Sequence, residues 1–406
     1  MKNATIQKLD FFIQTGVYMS TENRRLHYLF SQPHQPFFGW GVIQAILMMI
    51  LFLLMYKGII TTEILPNAFH AYSLIFIVFT AFFQGFLLTT FPRFSQMPPL
   101  DQKIYTTNFT LLASGTLLFL TGIFTTVWLL YIGMLLLLGN QLFSFYAFYM
   151  IYKTSPAKEK YDQFWILVSF GSGIGAHLLF IIALMTESLL LEEAAKQISL
   201  YLYFVFVTFS VGQRMIPFFS HVMIAKNTKL LKSVYFLFTA AIVTNLVAGN
   251  YGFVFLFIAA VIIAKEIYRW HLPYKKAEPI LWILHLAIFW LPLGLFLGAL
   301  SDFAALLLNQ NWIFASIHFV AIGFVTTVLV GFGTRVTLGH SGNMMQTDEK
   351  TKILFYLTQI TLYMRLIYSY TATPFIFDIS VGLWLILFGG WAIKYFPALL
   401  FGEKVR

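Results

Sequence analysis

The chain has 406 residues, of which 59% are hydrophobic and only 10% are charged. Soluble domains carry about 25% charged residues, so this composition excludes a soluble globular protein and indicates an integral membrane protein. The sequence contains no cysteine, which excludes disulfides, iron–sulfur clusters, thiolate-bound haem and blue-copper sites and leaves histidine as the main metal ligand.

Residues 1–36 are predicted to form a cytoplasmic or interfacial arm, ahead of a single transmembrane helical domain over residues 37–406. The opening stretch, MKNATIQKLDFFIQTGVYMS, has neither a continuous apolar core nor a small-residue cleavage site, so no removable signal peptide is expected. The arm leads into SQPHQPFFGW, in which Pro36 suits the first turn of a helix.

Apolar stretches of about 17 to 25 residues are long enough to cross a bilayer as helices. The sequence contains twelve of them, with short connections, which predicts an all-α polytopic membrane protein with about twelve transmembrane helices. The predicted spans are Phe37 to Tyr56, Phe69 to Phe91, Thr107 to Phe124, Val127 to Tyr152, Phe164 to Leu184, Leu200 to Phe219, Leu230 to Ala248, Tyr251 to Tyr268, Pro279 to Leu300, Trp312 to Phe332, Ile353 to Tyr370 and Phe375 to Leu400.

The basic residues predict how these spans are oriented, because cytoplasmic loops of membrane proteins are enriched in Lys and Arg. With a cytoplasmic N-terminus, all but three of the 26 Lys and Arg residues fall on the cytoplasmic side. The exceptions are Lys57, Lys196 and Arg365. Both termini are therefore predicted to be cytoplasmic, and this topology accounts for the net charge of +10 without a nucleic-acid partner.

Two of the nine histidines, His70 and His318, are predicted to lie near the outer face on different helices. Metal-binding groups inside a membrane are costly and by default indicate function. Two histidines at similar depth on separate helices meet the requirement for axial ligands on opposite faces of a haem. The alternative is that each is hydrogen-bonded to a carbonyl or to water. His177, in the outer half of the fifth span, is expected to have such a structural role.

A second group of histidines is predicted at or near the inner face: His34, His221, His285 and His340. His285 has no charged neighbour in sequence, so it needs a partner from another helix. Arg214 and Arg335 also lie near inner helix ends, where they either reach the headgroups or bind anions such as haem propionates. His27 and His271 fall in polar cytoplasmic segments.

Three stretches of the sequence carry a family pattern. They are HAYSLIFIVFTAFFQGFLLTTFP from His70, GQRMIPFF from Gly212, and SIHFVAIGFVTTVLVGFGTRVTLGHSGN from Ser316, of which the third is fairly specific. PHQPFF and LWILH are lesser matches. Together, and in matching order over most of the chain, they resemble the NnrS family, bacterial inner-membrane proteins associated with nitric oxide and nitrosative stress and described as containing haem and copper.

The resemblance implies haem b as a cofactor, copper as a further candidate, a location in the bacterial inner (cytoplasmic) membrane, and nitric oxide or a related small gas as the ligand. The family typically reads His-x-His-Glu where this chain has Tyr72 and Ser73 in the last two positions, so a site formed there is expected to be lost or altered. Residues to which the resemblance gives cofactor or metal roles are His34, His70, Arg214, His285, His318, Arg335 and His340.

Arg335 and His340 stand together in TRVTLGHSGN, at the inner end of the tenth span. From the resemblance we expect Arg335 to supply a cation, and His340 a ligand or proton donor, at the cytoplasmic edge of a cofactor pocket. The alternative is a stop signal followed by a turn, because basic residues at the inner end are what the topology requires.

The function that the resemblance favours is haem-dependent binding or reductive conversion of nitric oxide, with an electron donor that the sequence does not identify. One alternative is a secondary transporter, because twelve helices with both ends inside are a common transporter plan. Against it, the connection after the sixth span is short, and every Asp and Glu except Glu266 falls in a loop or near a span end. A second alternative is a haem protein that senses or transfers electrons without turnover.

Overall fold

The structure, a computed structural model, describes residues 28–249, 251–310, 312 and 314–405. Most of the predicted arm, with His27, therefore lies outside the described residues. Within those ranges all regular structure is helical and no strand occurs, which confirms the predicted all-α class.

In the described ranges, twelve long helices occupy the twelve predicted positions. Ten are long and apolar enough to cross a membrane, as expected of a multi-pass membrane protein. The other two are α8, which has 17 residues, and α11, which carries polar residues along its length. The helices are α1 (His34–Tyr56), α2 (Pro66–Phe94), α3 (Gln102–Thr125), α4 (Val127–Thr154), α5 (Tyr161–Thr186), α6 (Leu189–Phe219), α7 (Leu230–Ala248), α8 (Phe253–Arg269), α9 (Pro279–Leu308), α10 (Ala315–His340), α11 (Glu349–Thr371) and α12 (Pro374–Phe401).

Local sequence explains where several helices begin. The Asp101 side chain accepts a hydrogen bond from the Lys103 N–H at the start of α3, and proline occupies the first turn of α2, α9 and α12. Asp348 caps α11 in the same way. Burial raises the pKa of Asp348, but hydrogen bonds from Lys394 and Thr351 outweigh it and hold the pKa at about 2, so the cap stays ionised at neutral pH.

α3 and α4 form a tightly packed hairpin, because glycines let the two backbones touch. A Cβ added at Gly122 would lie 2.2 Å from the Leu130 nitrogen, and one added at Gly133 would lie 2.3 Å from the Phe119 nitrogen. Small residues commonly allow such close approach between membrane helices. The perimeter of the bundle exposes large apolar side chains, as hydrocarbon-facing helices do; examples are Leu117, Trp128, Leu142, Ile182 and Phe303.

The three most deeply buried of the ten candidate spans are α2, α6 and α10. Each contains a π-helical segment: Ser73–Phe79, Ile198–Val205 and Ala321–Thr326 respectively. The segment in α6 contacts those of both α2 and α10. π turns inside α-helices frequently mark functional sites. Because three of them lie at one level of the bundle, we expect a functional site at that level.

Threonine hydroxyls satisfy backbone carbonyls in two of these π segments. Thr80 Oγ1 donates to the Ile75 carbonyl at 2.8 Å, and Thr326 Oγ1 donates to the Ala321 carbonyl at 2.9 Å. Polar backbone groups inside a membrane protein need such partners. We name the two ends of the bundle after the predicted topology: the outer end holds the first residues of α2, α6 and α10, and the inner end holds His34 and His340.

Candidate functional site

A cavity of about 240 Å³ lies at the outer end of the bundle, between α1, α2, α6, α10, α11 and α12. All three π segments contribute to its wall, for example through Ile75, Phe204 and Ile322. The lining is mainly apolar and aromatic, with a small number of polar side chains. This combination is typical of small-molecule and cofactor pockets. We call it the outer cavity.

His70 of α2 and His318 of α10 both line the outer cavity. The His70 ring stacks on Phe52 with centroids 4.1 Å apart, and in the described part of the chain its two ring nitrogens have no hydrogen-bond partner. His318 Nδ1 donates to the Phe314 carbonyl at 2.7 Å, the main-chain bond that the structural alternative expects. That bond fixes the ring and leaves Nε2 for a ligand, as in many metal-binding histidines.

The donor set of the outer cavity fits a haem. Two imidazoles from different helices each keep a nitrogen available, and aromatic side chains such as Phe79, Phe204 and Trp384 offer flat apolar contacts. The volume of 240 Å³ is below the roughly 300–1,000 Å³ of most small-molecule pockets. A porphyrin therefore fits only if lining side chains move outward when it binds.

Two cations also line the outer cavity, Lys196 of α6 and Arg365 of α11. Sequence reasoning assigned them no role. Both are among the three basic residues that the topology places on the outer side. Their unusual position was therefore a sign in the sequence that they could have a role. The third exception, Lys57, forms an ion pair with Asp378 at 2.7 Å and does not line the cavity.

A second pair of histidines meets at the inner end, where the rings of His34 and His340 have centroids 4.6 Å apart. His34 is buried, and its Nδ1 has no hydrogen-bond partner among the described residues. The His34 N–H donates to Thr89 Oγ1 at 3.2 Å. Since Thr89 and His70 are about 28 Å apart along α2 at 1.5 Å per residue, the two pairs are separate sites.

The other inner-end residues named from the sequence do not line the outer cavity. Arg214 forms an ion pair with the buried Asp162 at 2.9 Å, so its charge already has a partner. The Arg335 guanidinium lies over the Phe219 ring, 3.9 Å from its centroid. His285 Nε2 is 2.7 Å from Ser220 Oγ, and its Nδ1 is buried without a partner in the described ranges.

Tyr72, at one of the positions that depart from the family pattern, is buried and turned away from the outer cavity. His177 Nδ1 lies 2.8 Å from Gln141 Oε1, to which it donates, so Nε2 accepts from the Tyr72 hydroxyl at 2.7 Å. Both nitrogens of His177 are thus engaged, which supports its expected structural role. Ser73 is likewise buried and outside the cavity wall.

Comparison with known proteins places the chain in a family. A search of curated proteins finds no match. A family model described as "NnrS protein" matches residues 28–401, nearly the whole chain and every long helix of its described part. That range includes the outer cavity and both histidine pairs. The protein therefore belongs to the NnrS family.

Proposed function

We propose that this protein binds haem b in the outer cavity and thereby binds or reductively converts nitric oxide or a related small gas. The observation that carries the proposal is that His70 and His318, from two central helices, line one cavity with an imidazole nitrogen available on each. Membership of the NnrS family, in which haem is the expected cofactor, supports it.

The two histidines would have different roles. A bound haem supplies an iron that can bind nitric oxide and exchange electrons. His318 is fixed by its hydrogen bond to Phe314, so we assign it as the permanent ligand. His70 is held only by stacking on Phe52, so it would be the more weakly held of the two ligands. The lining is mainly apolar, and an uncharged gas would reach the cavity by dissolving in the bilayer.

Copper is proposed as a second cofactor at the inner end. His34 and His340 have their rings in contact, and imidazole is a suitable ligand for copper. Among the described residues no cluster of three or more His, Asp or Glu side chains is gathered for a metal, so a metal there would need a further ligand from elsewhere. His285, with its unpartnered Nδ1, remains a candidate ligand. Arg335 remains a candidate cation for an anionic group at that end.

We further propose that all twelve helices cross the bacterial inner membrane and that both termini are cytoplasmic. The alternation of basic residues supports twelve crossings, including α8 and α11. A green fluorescent protein fused to the C-terminus should fluoresce, and alkaline phosphatase fused there should be inactive, because each reporter works on one side only. The opposite pattern would contradict the topology.

The optical spectrum of the purified protein tests the haem proposal. We expect a Soret band that shifts on reduction with dithionite and shifts again with nitric oxide, and gas consumption if the site turns over. A haem spectrum that does not change when nitric oxide is added would favour sensing or electron transfer. The absence of a Soret band, with no haem bound on reconstitution, would overturn the proposal and favour a transporter.

A further inference from the structure

Arg365 is a charged side chain in the last third of α11, toward its outer end, and it has no acidic partner in the described part of the chain. Its Nη1 donates to Ser369 Oγ at 2.6 Å, and its guanidinium lies 5.1 Å from the centroid of the Tyr368 ring. Both partners are neutral. A guanidinium has five N–H donors, so most of them remain available to a ligand.

The charge of Arg365 is also not balanced by the cavity that it lines. The described lining of the outer cavity includes Lys196 as well as Arg365, but neither Asp nor Glu. Lys196 is paired with Glu192, which lies outside the lining. The excess positive charge at this site is therefore that of Arg365. An unpaired cation among membrane helices is expensive and by default indicates a function with a partner.

We propose that Arg365 binds a carboxylate in the outer cavity. A guanidinium matches the planar, two-oxygen geometry of a carboxylate, and the apolar lining strengthens the attraction because it lowers the local dielectric. The carboxylate can come from a haem propionate, in which case the inference rests on the proposed function, or from a small free carboxylate.

Titration of the full-length protein, prepared without haem, with haem and with haem dimethyl ester distinguishes these sources, because the ester lacks both carboxylates. If Arg365 binds a propionate, haem should bind at least about tenfold more tightly than the ester. In the Arg365→Gln variant this preference should disappear while ester binding persists, which shows that the cavity is still folded. Arg365→Lys should keep part of the preference.

Lys57→Gln is the matched control, because Lys57 is a basic residue of the outer end that is paired with Asp378 outside the cavity. It should keep the full preference. In parallel, calorimetric titration with sodium acetate probes a free carboxylate. Saturable binding in the wild type that is lost in Arg365→Gln, with no preference for haem over its ester, would identify that source.

The outcomes separate the two proposals. If neither porphyrin binds but acetate binds in an Arg365-dependent way, the haem proposal fails and the carboxylate site stands. If haem and its ester bind equally and acetate does not bind, the haem proposal stands and the carboxylate site is overturned. It is equally overturned if Arg365→Gln keeps the preference for haem.

Discussion

Replacement of His318 by alanine is expected to abolish the Soret band of the purified protein. His318 is the ligand assigned to the iron, and loss of even an outer partner of a ligand typically weakens metal binding 10- to 100-fold. Haem per protein, measured as the pyridine haemochrome, should therefore fall at least about tenfold. His70→Ala should retain more haem than His318→Ala, because His70 is not fixed by a hydrogen bond. Its spectrum should be that of a five-coordinate haem, because one of the two proposed ligands is missing.

His271 provides the control, since it lies in a turn outside the cavity. Its φ is +48°, a left-handed conformation that asparagine tolerates better than alanine, so His271→Asn is the suitable change and should leave the spectrum unaltered. Free imidazole added to His318→Ala should restore part of the band. Wild-type haem content in both His70→Ala and His318→Ala would rule out axial ligation in the outer cavity.

The substitution Gly133→Ala is expected to destabilise the α3–α4 hairpin strongly. The added methyl group would lie 2.3 Å from the nitrogen and 2.8 Å from the Cα of Phe119, and neither backbone atom can move without shifting α3. Overpacking of this kind costs about 1–3 kcal/mol. The midpoint of thermal unfolding in detergent, followed by circular dichroism, should fall accordingly.

Gly139→Ala in the same helix is the matched control. A Cβ at Gly139 meets no heavy atom within 4 Å, so this change should be neutral or slightly stabilising, because alanine has the higher helix propensity. If the two substitutions had equal effects, the close approach of α3 and α4 would not be a source of stability.

The positions of the helices could be predicted from the sequence because the length of an apolar stretch limits what can cross a bilayer. The ends were less predictable, since polar residues such as His34 and Asn67 extend helices beyond their apolar parts. The π segments could not be predicted, because SLIFIVF and its two counterparts are ordinary apolar runs. Their hydrogen-bond pattern depends on packing between α2, α6 and α10.

The candidate site, too, could be predicted from the sequence only in part. Depth in the membrane was enough to group His70 with His318, because both lie in the early turns of helices that run in the same direction. The pairing of Arg214 with Asp162 could not be foreseen, since it joins two helices through side-chain geometry. Arg365 could have been recognised: an arginine within a span, on the side where basic residues are rare, calls for an anionic partner.

The π segment of α10 lies between the two histidines that the helix carries, His318 and His340. A residue added to an α-helix turns everything beyond it by about 100°, and a π turn accommodates such an addition within one turn. The angular offset between these imidazoles therefore depends on whether the short stretch Ala321–Thr326 is wound as a π or an α turn. A single local irregularity of the backbone thus helps to set how the histidine of the outer cavity and the histidine of the inner end are rotated relative to each other.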